Sequence, residues 1–104
     1  MKINPPPKLK IKVLYVEDDL VIRENIAALL NRRIESLEIA SDGEEGFAKF
    51  KKFHPDLLIT DIKMPKMDGI TLSRNIFELD PDTNIIIMSA FSDTEYMLEA
   101  INLG

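Results

Sequence analysis

A chain of 104 residues, 45% hydrophobic and 30% charged, is sized for one domain around a single core. Its net charge of −5 argues against direct nucleic-acid binding, and the lack of cysteine excludes disulfides and thiolate metal sites. No apolar run reaches the roughly 18 residues of a membrane-spanning helix, so the expectation is a cytoplasmic protein with no membrane partner.

The opening MKINPPPKLK lacks the apolar stretch of a signal peptide. Pro5-Pro6-Pro7 favours extended chain, so residues 1–10 read as a mobile leader and 11–104 as the folded domain. IKVLYV (11–16) is short, rich in β-branched residues and bounded by charge, which predicts a strand. Ile22, Ile26, Leu29 and Leu30 then share one face of a helix. SLEIA (36–40) alternates as an edge strand does, with Ser36 and Glu38 on one side.

In SDGEEGFAKFKKF, either Ser41 or Asp42 can cap a second helix, with Phe47 and Phe50 inward and Pro55 ending it. DLLIT (56–60) has the continuous apolar texture of a strand buried on both faces. Leu72, Ile76 and Leu79 mark a third helix, broken at Asp80-Pro81-Asp82. NIIIMSA (84–90) is the most apolar strand, and Ser92 with Glu95 opens a fourth helix with Met97, Ala100 and Ile101 inward. The basic spots at Lys8, Lys10, Lys12 and Lys51-Lys52 read as solvated faces, and His54 as a loop residue.

Strict strand–helix alternation predicts an α/β fold, a doubly wound parallel sheet with helices on both faces. Ligands of such sheets bind beyond the carboxyl ends of the strands, where strand order reverses. Those ends carry Glu17-Asp18-Asp19, Thr60-Asp61 and Ser89-Ala90. Asp19 is placed to cap the first helix. Two carboxylates about 4 Å apart repel by roughly 4 kcal/mol at an effective dielectric near 20. Glu17, Asp18 and Asp61 together therefore call for a divalent cation, and hard oxygen ligands suit Mg2+.

VLYVEDDLVIR, DLLITDIKMPKMDG and IIIMSA together resemble the receiver domain of two-component response regulators, along 11–104. The resemblance implies a flavodoxin-like sheet of order 2-1-3-4, with the family's fifth strand and fifth helix missing from this chain. It implies Asp61 as phosphoacceptor, taking a phosphoryl group from a sensor histidine kinase or a phosphotransfer protein. Glu17, Asp18, Asp61 and the backbone carbonyl of Lys63 would hold Mg2+, with Mn2+ as the alternative ion. Ser89 and Ala90 would contact the phosphoryl group and switch, while Lys63 and Phe91 would tune its lifetime. Pro65 and Gly69 shape the loop after the acceptor.

A receiver also has a Lys at the end of its fifth strand, whereas every Lys here precedes Ser89. Without that strand the fourth would be an apolar edge, so a dimer or element-swapped oligomer is expected there. An output domain beyond residue 104 is a further expected partner. The domain itself is expected to be no enzyme beyond self-phosphorylation and autodephosphorylation. The competing function is a receiver-like interaction module that works without phosphorylation. A phosphohydrolase of the haloacid dehalogenase type fits poorly, because Lys63 stands where its second Asp belongs, and no P-loop motif occurs.

Overall fold

In the computed structural model, which describes residues 7–88, four strands alternate with three helices. They are β1 (Leu9–Val16), α1 (Leu20–Arg33), β2 (Ile34–Ala40), α2 (Gly43–Phe53), β3 (Leu57–Asp61), α3 (Gly69–Leu79) and β4 (Asn84–Met88). All pairings are parallel, in the order β2-β1-β3-β4, which is the expected flavodoxin-like arrangement. Pro5, Pro6, Ser89, Ala90, Phe91 and the helix expected after Ser92 lie outside the described residues.

The alternation of β1 divides the core. Val13 and Tyr15 face α1 and pack with Ile26, Leu30 and Ile59. Leu14 and Val16 face the other way and pack with Phe50 of α2, Leu72 and Ile76 of α3, and Leu58. All four β1 residues are completely buried, as befits a strand covered on both faces. The strand begins at Leu9, so Leu9 and Lys10 belong to it and not to a leader. Leu9 pairs with Ile34 across an irregularity that ends at the Lys12–Ser36 pair, and backbone pairing there outweighs the exposure of the lysines.

Each helix start is set by an aspartate. Asp19, Asp42 and Asp68 accept hydrogen bonds from the backbone N–H groups of Ile22, Glu45 and Thr71 at 3.0, 2.8 and 2.7 Å. These bonds satisfy donors that a helix leaves without intrahelical partners. Asp42, not Ser41, caps α2, and the Ser41 hydroxyl instead donates to Glu45 Oε2 at 2.8 Å. α2 ends at Phe53, two residues before Pro55, and exposed His54 caps it with a left-handed φ of 51°.

Two apolar residues depart from their expected faces. Leu29 is exposed while Ala27 is buried, and Leu79 is exposed in the last turn of α3. Helical spacing fixes which residues share a stripe but not how far the stripe is covered. Among the described residues, β4 pairs with β3 alone, and Ile87 is partly open to solvent.

Candidate functional site

The carboxyl ends of β1 and β3 meet at the switch point of the sheet. Val16 pairs with Thr60, so the next residues, Glu17 and Asp61, stand side by side. One carboxylate oxygen each from Glu17, Asp18 and Asp61 lies within 4.8 Å of the others. Glu17 is buried at 4% exposure, Asp61 half-buried and Asp18 exposed, so the cluster opens to solvent on one side.

Backbone groups hold this acid turn in place. The Asp19 N–H donates to Glu17 Oε2 at 3.2 Å, and the Glu17 N–H donates to the Ala40 carbonyl at 3.1 Å. Ile62 donates its N–H to Asp61 Oδ1 at 2.8 Å, and the Thr60 hydroxyl donates to the Asp61 carbonyl at 2.9 Å. Arg23, a residue the sequence reading did not single out, reaches back from the first turns of α1. Its Nη1 donates to the carbonyls of Glu17 at 2.9 Å and Asp18 at 3.3 Å. A cation a helical turn past an acid pair is the signal that marks it.

The electrostatics follow from this packing. Burial pushes the Glu17 carboxyl up to about 7, against the lowering effect of the Asp19 N–H. The neighbouring carboxylates of Asp18 and Asp61 push it the same way as burial. Tyr15 lies fully buried in the same strand with its hydroxyl unpartnered. Burial first, and then the charge of Glu17, raise its phenol above the ordinary tyrosine range. The ion pairs among the described residues are Lys49–Glu45 and Lys66–Asp42. None of the three clustered acids has a side-chain cation there. This donor set of clustered, uncompensated carboxylate oxygens fits a hard divalent ion.

The remaining expected site residues fall on the loop between β3 and α3. Lys63 and Pro65 are exposed, and the Gly69 N–H donates to the Ile62 carbonyl at 2.7 Å, closing the loop. Gly69 is buried where a Cβ would fall 2.9 Å from the Asp61 carbonyl carbon, so the close approach of helix to strand needs glycine. Met88 pairs with Asp61, which brings the end of β4 level with the acids. His54 sits at the other end of the strands, away from the cluster.

A flavodoxin-like sheet with an acidic cluster at its switch point defines the class: an α/β domain that gathers its carboxylates between the ends of the first and third strands. Within that class the chain belongs to the response regulator receiver domain family, whose model matches residues 13–104. It is 38% identical over 97 residues to protein-glutamate methylesterase/protein-glutamine glutaminase 3 of Geobacter sulfurreducens, covering 91% of this chain and 26% of that protein. It is also 38% identical over 96 residues to the chemotaxis protein CheY of Treponema pallidum, covering 89% of this chain and 67% of that one. A chain in the crystal structure of the CheX–CheY–BeF3–Mg2+ complex of Borrelia burgdorferi superposes with a TM-score of 0.72 at 31% identity. That match covers 89% of this chain and 71% of the other. The chain thus spans about a quarter of the length of the methylesterase and about two thirds of that of CheY. Among the described residues, no helix is long and apolar enough to cross a membrane.

Proposed function

We propose that this chain is the phosphoacceptor module of a two-component phosphorelay, with Asp61 as the residue that receives the phosphoryl group. The observation that carries the reading is the convergence of Glu17, Asp18 and Asp61 within 4.8 Å at the switch point. Family membership supplies the partner class, a sensor histidine kinase or a phosphotransfer protein. Glu17, Asp18, Asp61 and the Lys63 carbonyl would hold Mg2+ or Mn2+. When bound, the ion supplies positive charge to the oxygens of the transferring phosphoryl group.

The chain's own residues have distinct tasks. One Asp61 oxygen is tied to the Ile62 N–H, which leaves the other to attack phosphorus. As the O–P bond forms, the P–N bond to the donor imidazole breaks, and its electron pair returns to nitrogen, which takes a proton from solvent. Arg23 holds the carbonyls of Glu17 and Asp18 and so keeps the acid turn from opening. Ser89 and Ala90 would contact the transferred group, and Lys63 and Phe91 would set how long it survives. Exposed Leu20 and Val21, directly after the acid turn, offer an apolar rim for the donor protein.

The test is incubation with a small acyl phosphate and Mg2+, read by intact mass and an acid-stable phosphate assay. One phosphoryl group is expected, lost in Asp61→Asn and in chelator, with Mg2+ binding lost in Asp18→Ala. Undiminished phosphate in Asp61→Asn removes the reading. A binding-only module remains the competing reading because Ile70, Phe77, Ile85 and Ile87 line an open apolar groove between α3 and β4. It predicts that Mg2+ with beryllofluoride changes neither stability nor association.

A further inference from the structure

We propose that the N-terminus of α2, through Gly43 and the Asp42–Lys66 ion pair, clamps the loop after Asp61 and so positions the cation site from outside it. The proposal rests on the phosphoacceptor reading for its consequence, but the clamp itself is a feature of the metal-free protein.

The loop from Ile62 to Asp68 does not close in a relaxed way. Lys66 has a φ of 69°, and the Met67 N–H bonds across it to the Pro65 carbonyl at 2.8 Å. A three-residue turn with a positive central φ is rare and strained for a side-chain-bearing residue. Such a conformation persists only when its surroundings over-determine it. The surroundings here are two helix starts. Gly69 seals the far end against Asp61, as described above. At the near side a Cβ on Gly43 would sit 2.7 Å from Met67 Cβ and 2.8 Å from its carbonyl carbon. The first residue of α2 is therefore seated directly on the loop backbone, with no room for a methyl group.

Lys66 adds a charge contact to this steric one. Its Nζ lies 3.6 Å from Oδ2 of Asp42, the residue that caps α2. Asp42 uses its other oxygen, Oδ1, to accept the cap hydrogen bond from Glu45 at 2.8 Å. One side chain thus fixes the helix start and holds the strained residue of the loop. Lys66 is 60% exposed, so the pair alone is weak and salt-sensitive. The Gly43 contact carries most of the constraint. Met67 also packs partly buried against the core beneath α2 and α3, which leaves the loop no way to withdraw. Gly43 and Lys66 touch none of the reacting atoms in this scheme. They are positioning residues, and they act through the segment that carries Lys63.

Gly46 provides the control. A Cβ there would press on Val16 Cγ2 at 2.9 Å, inside the core and away from the loop. Gly43→Ala, Gly46→Ala, Lys66→Met and Lys66→Arg are compared in the full chain. The readouts are Mg2+ affinity by calorimetry without phosphodonor, amide exchange at Met67 and Gly69 in chelator, and the urea midpoint. Gly43→Ala is expected to weaken Mg2+ binding at least tenfold and speed exchange at both amides. Gly46→Ala is expected to lower the urea midpoint without speeding exchange at Met67 or Gly69, since its contact is with Val16 and not with the loop. Lys66→Met should weaken Mg2+ binding two- to fivefold at low salt, with Lys66→Arg retaining the parental value. That direction is informative, because removing a nearby positive charge by itself would strengthen cation binding.

Unchanged loop exchange in both Gly43→Ala and Lys66→Met overturns the clamp. So does an equal speeding of exchange at Met67 and Gly69 in Gly46→Ala, or tighter Mg2+ binding in Lys66→Met. If Gly43→Ala fails to fold, the Lys66 pair decides through the same exchange measurement. If the parental chain binds no Mg2+, the phosphoacceptor reading falls, and the exchange data in chelator still accept or reject the clamp.

Discussion

Val16 stands opposite Thr60 in the parallel ladder, and this one pairing sets Glu17 beside Asp61. A slip of one residue would turn every side chain of β1 to the opposite face. Leu14 and Val16 pack towards α2 and α3 while Val13 and Tyr15 pack towards α1, so core burial on both sides resists that slip. The geometry of the acid cluster is thus a by-product of core packing.

Glu17 makes the metal-free domain less stable as pH rises. Its carboxyl is raised to about 7 from 4.5, so between these values the folded state binds more protons than the unfolded one. Stability therefore falls as pH climbs through that window. The loss is about 2–3 kcal/mol from end to end. Urea midpoints in chelator from pH 4.5 to 8 are expected to fall, with Glu17→Gln flattening the trend and saturating Mg2+ opposing it. A rising midpoint through that window in the parental chain would contradict the assignment.

Tyr15→Phe is expected to stabilise the fold by about 1 kcal/mol. The hydroxyl is buried without a partner, so its removal relieves a desolvation cost at no loss of a hydrogen bond. Equilibrium unfolding measures this, and a destabilised Phe variant would reveal a partner for the hydroxyl.

Gly69→Ala is expected to cost about 1–3 kcal/mol through overpacking. Its Cβ would strike the Asp61 carbonyl group, a backbone neighbour unable to rotate away. The same displacement acts on the acceptor, so phosphorylation by a small donor should fall together with the thermal midpoint.

Asp42→Ala removes the α2 cap and should cost about 1 kcal/mol, whereas Asp42→Asn keeps a capping oxygen and should cost less. The Glu45 N–H, and more weakly Lys66, hold the Asp42 carboxyl below its ordinary value. Its contribution is accordingly present above the unfolded value and lost as pH falls through the lowered folded one. Midpoints compared at pH 7 and pH 3 check both statements.

Much of this was legible in the chain. Ile22 and Ile26, Phe50, and Leu72 and Ile76 carry helical spacing that one period reveals. Asp19 announces a helix start, because a short acceptor before an amphipathic run has few other uses, and Asp42 was one of two candidates for the next. The acids at the ends of apolar strands marked the candidate site for a similar reason, since parallel sheets bind ligands there. Arg23 carried only its spacing from the acid pair as a signal; that its guanidinium bonds two backbone carbonyls depends on how α1 turns back over the acid turn. The exposure of Leu79 was not legible, because it depends on what covers the end of its stripe.

What the sequence by itself determined is local: the period of each element, the cap of the first helix, and the supply of carboxylates at two strand ends. Only the tertiary structure decided which of these meet. The 4.8 Å convergence of Glu17, Asp18 and Asp61 depends on the β1–β3 register. The seat of Met67 on Gly43 depends on how α2 and α3 pack over one face of the sheet. The physical reason is range. Dihedral preference and capping act within a few residues, whereas register and helix packing are fixed by burial of side chains far apart in the chain.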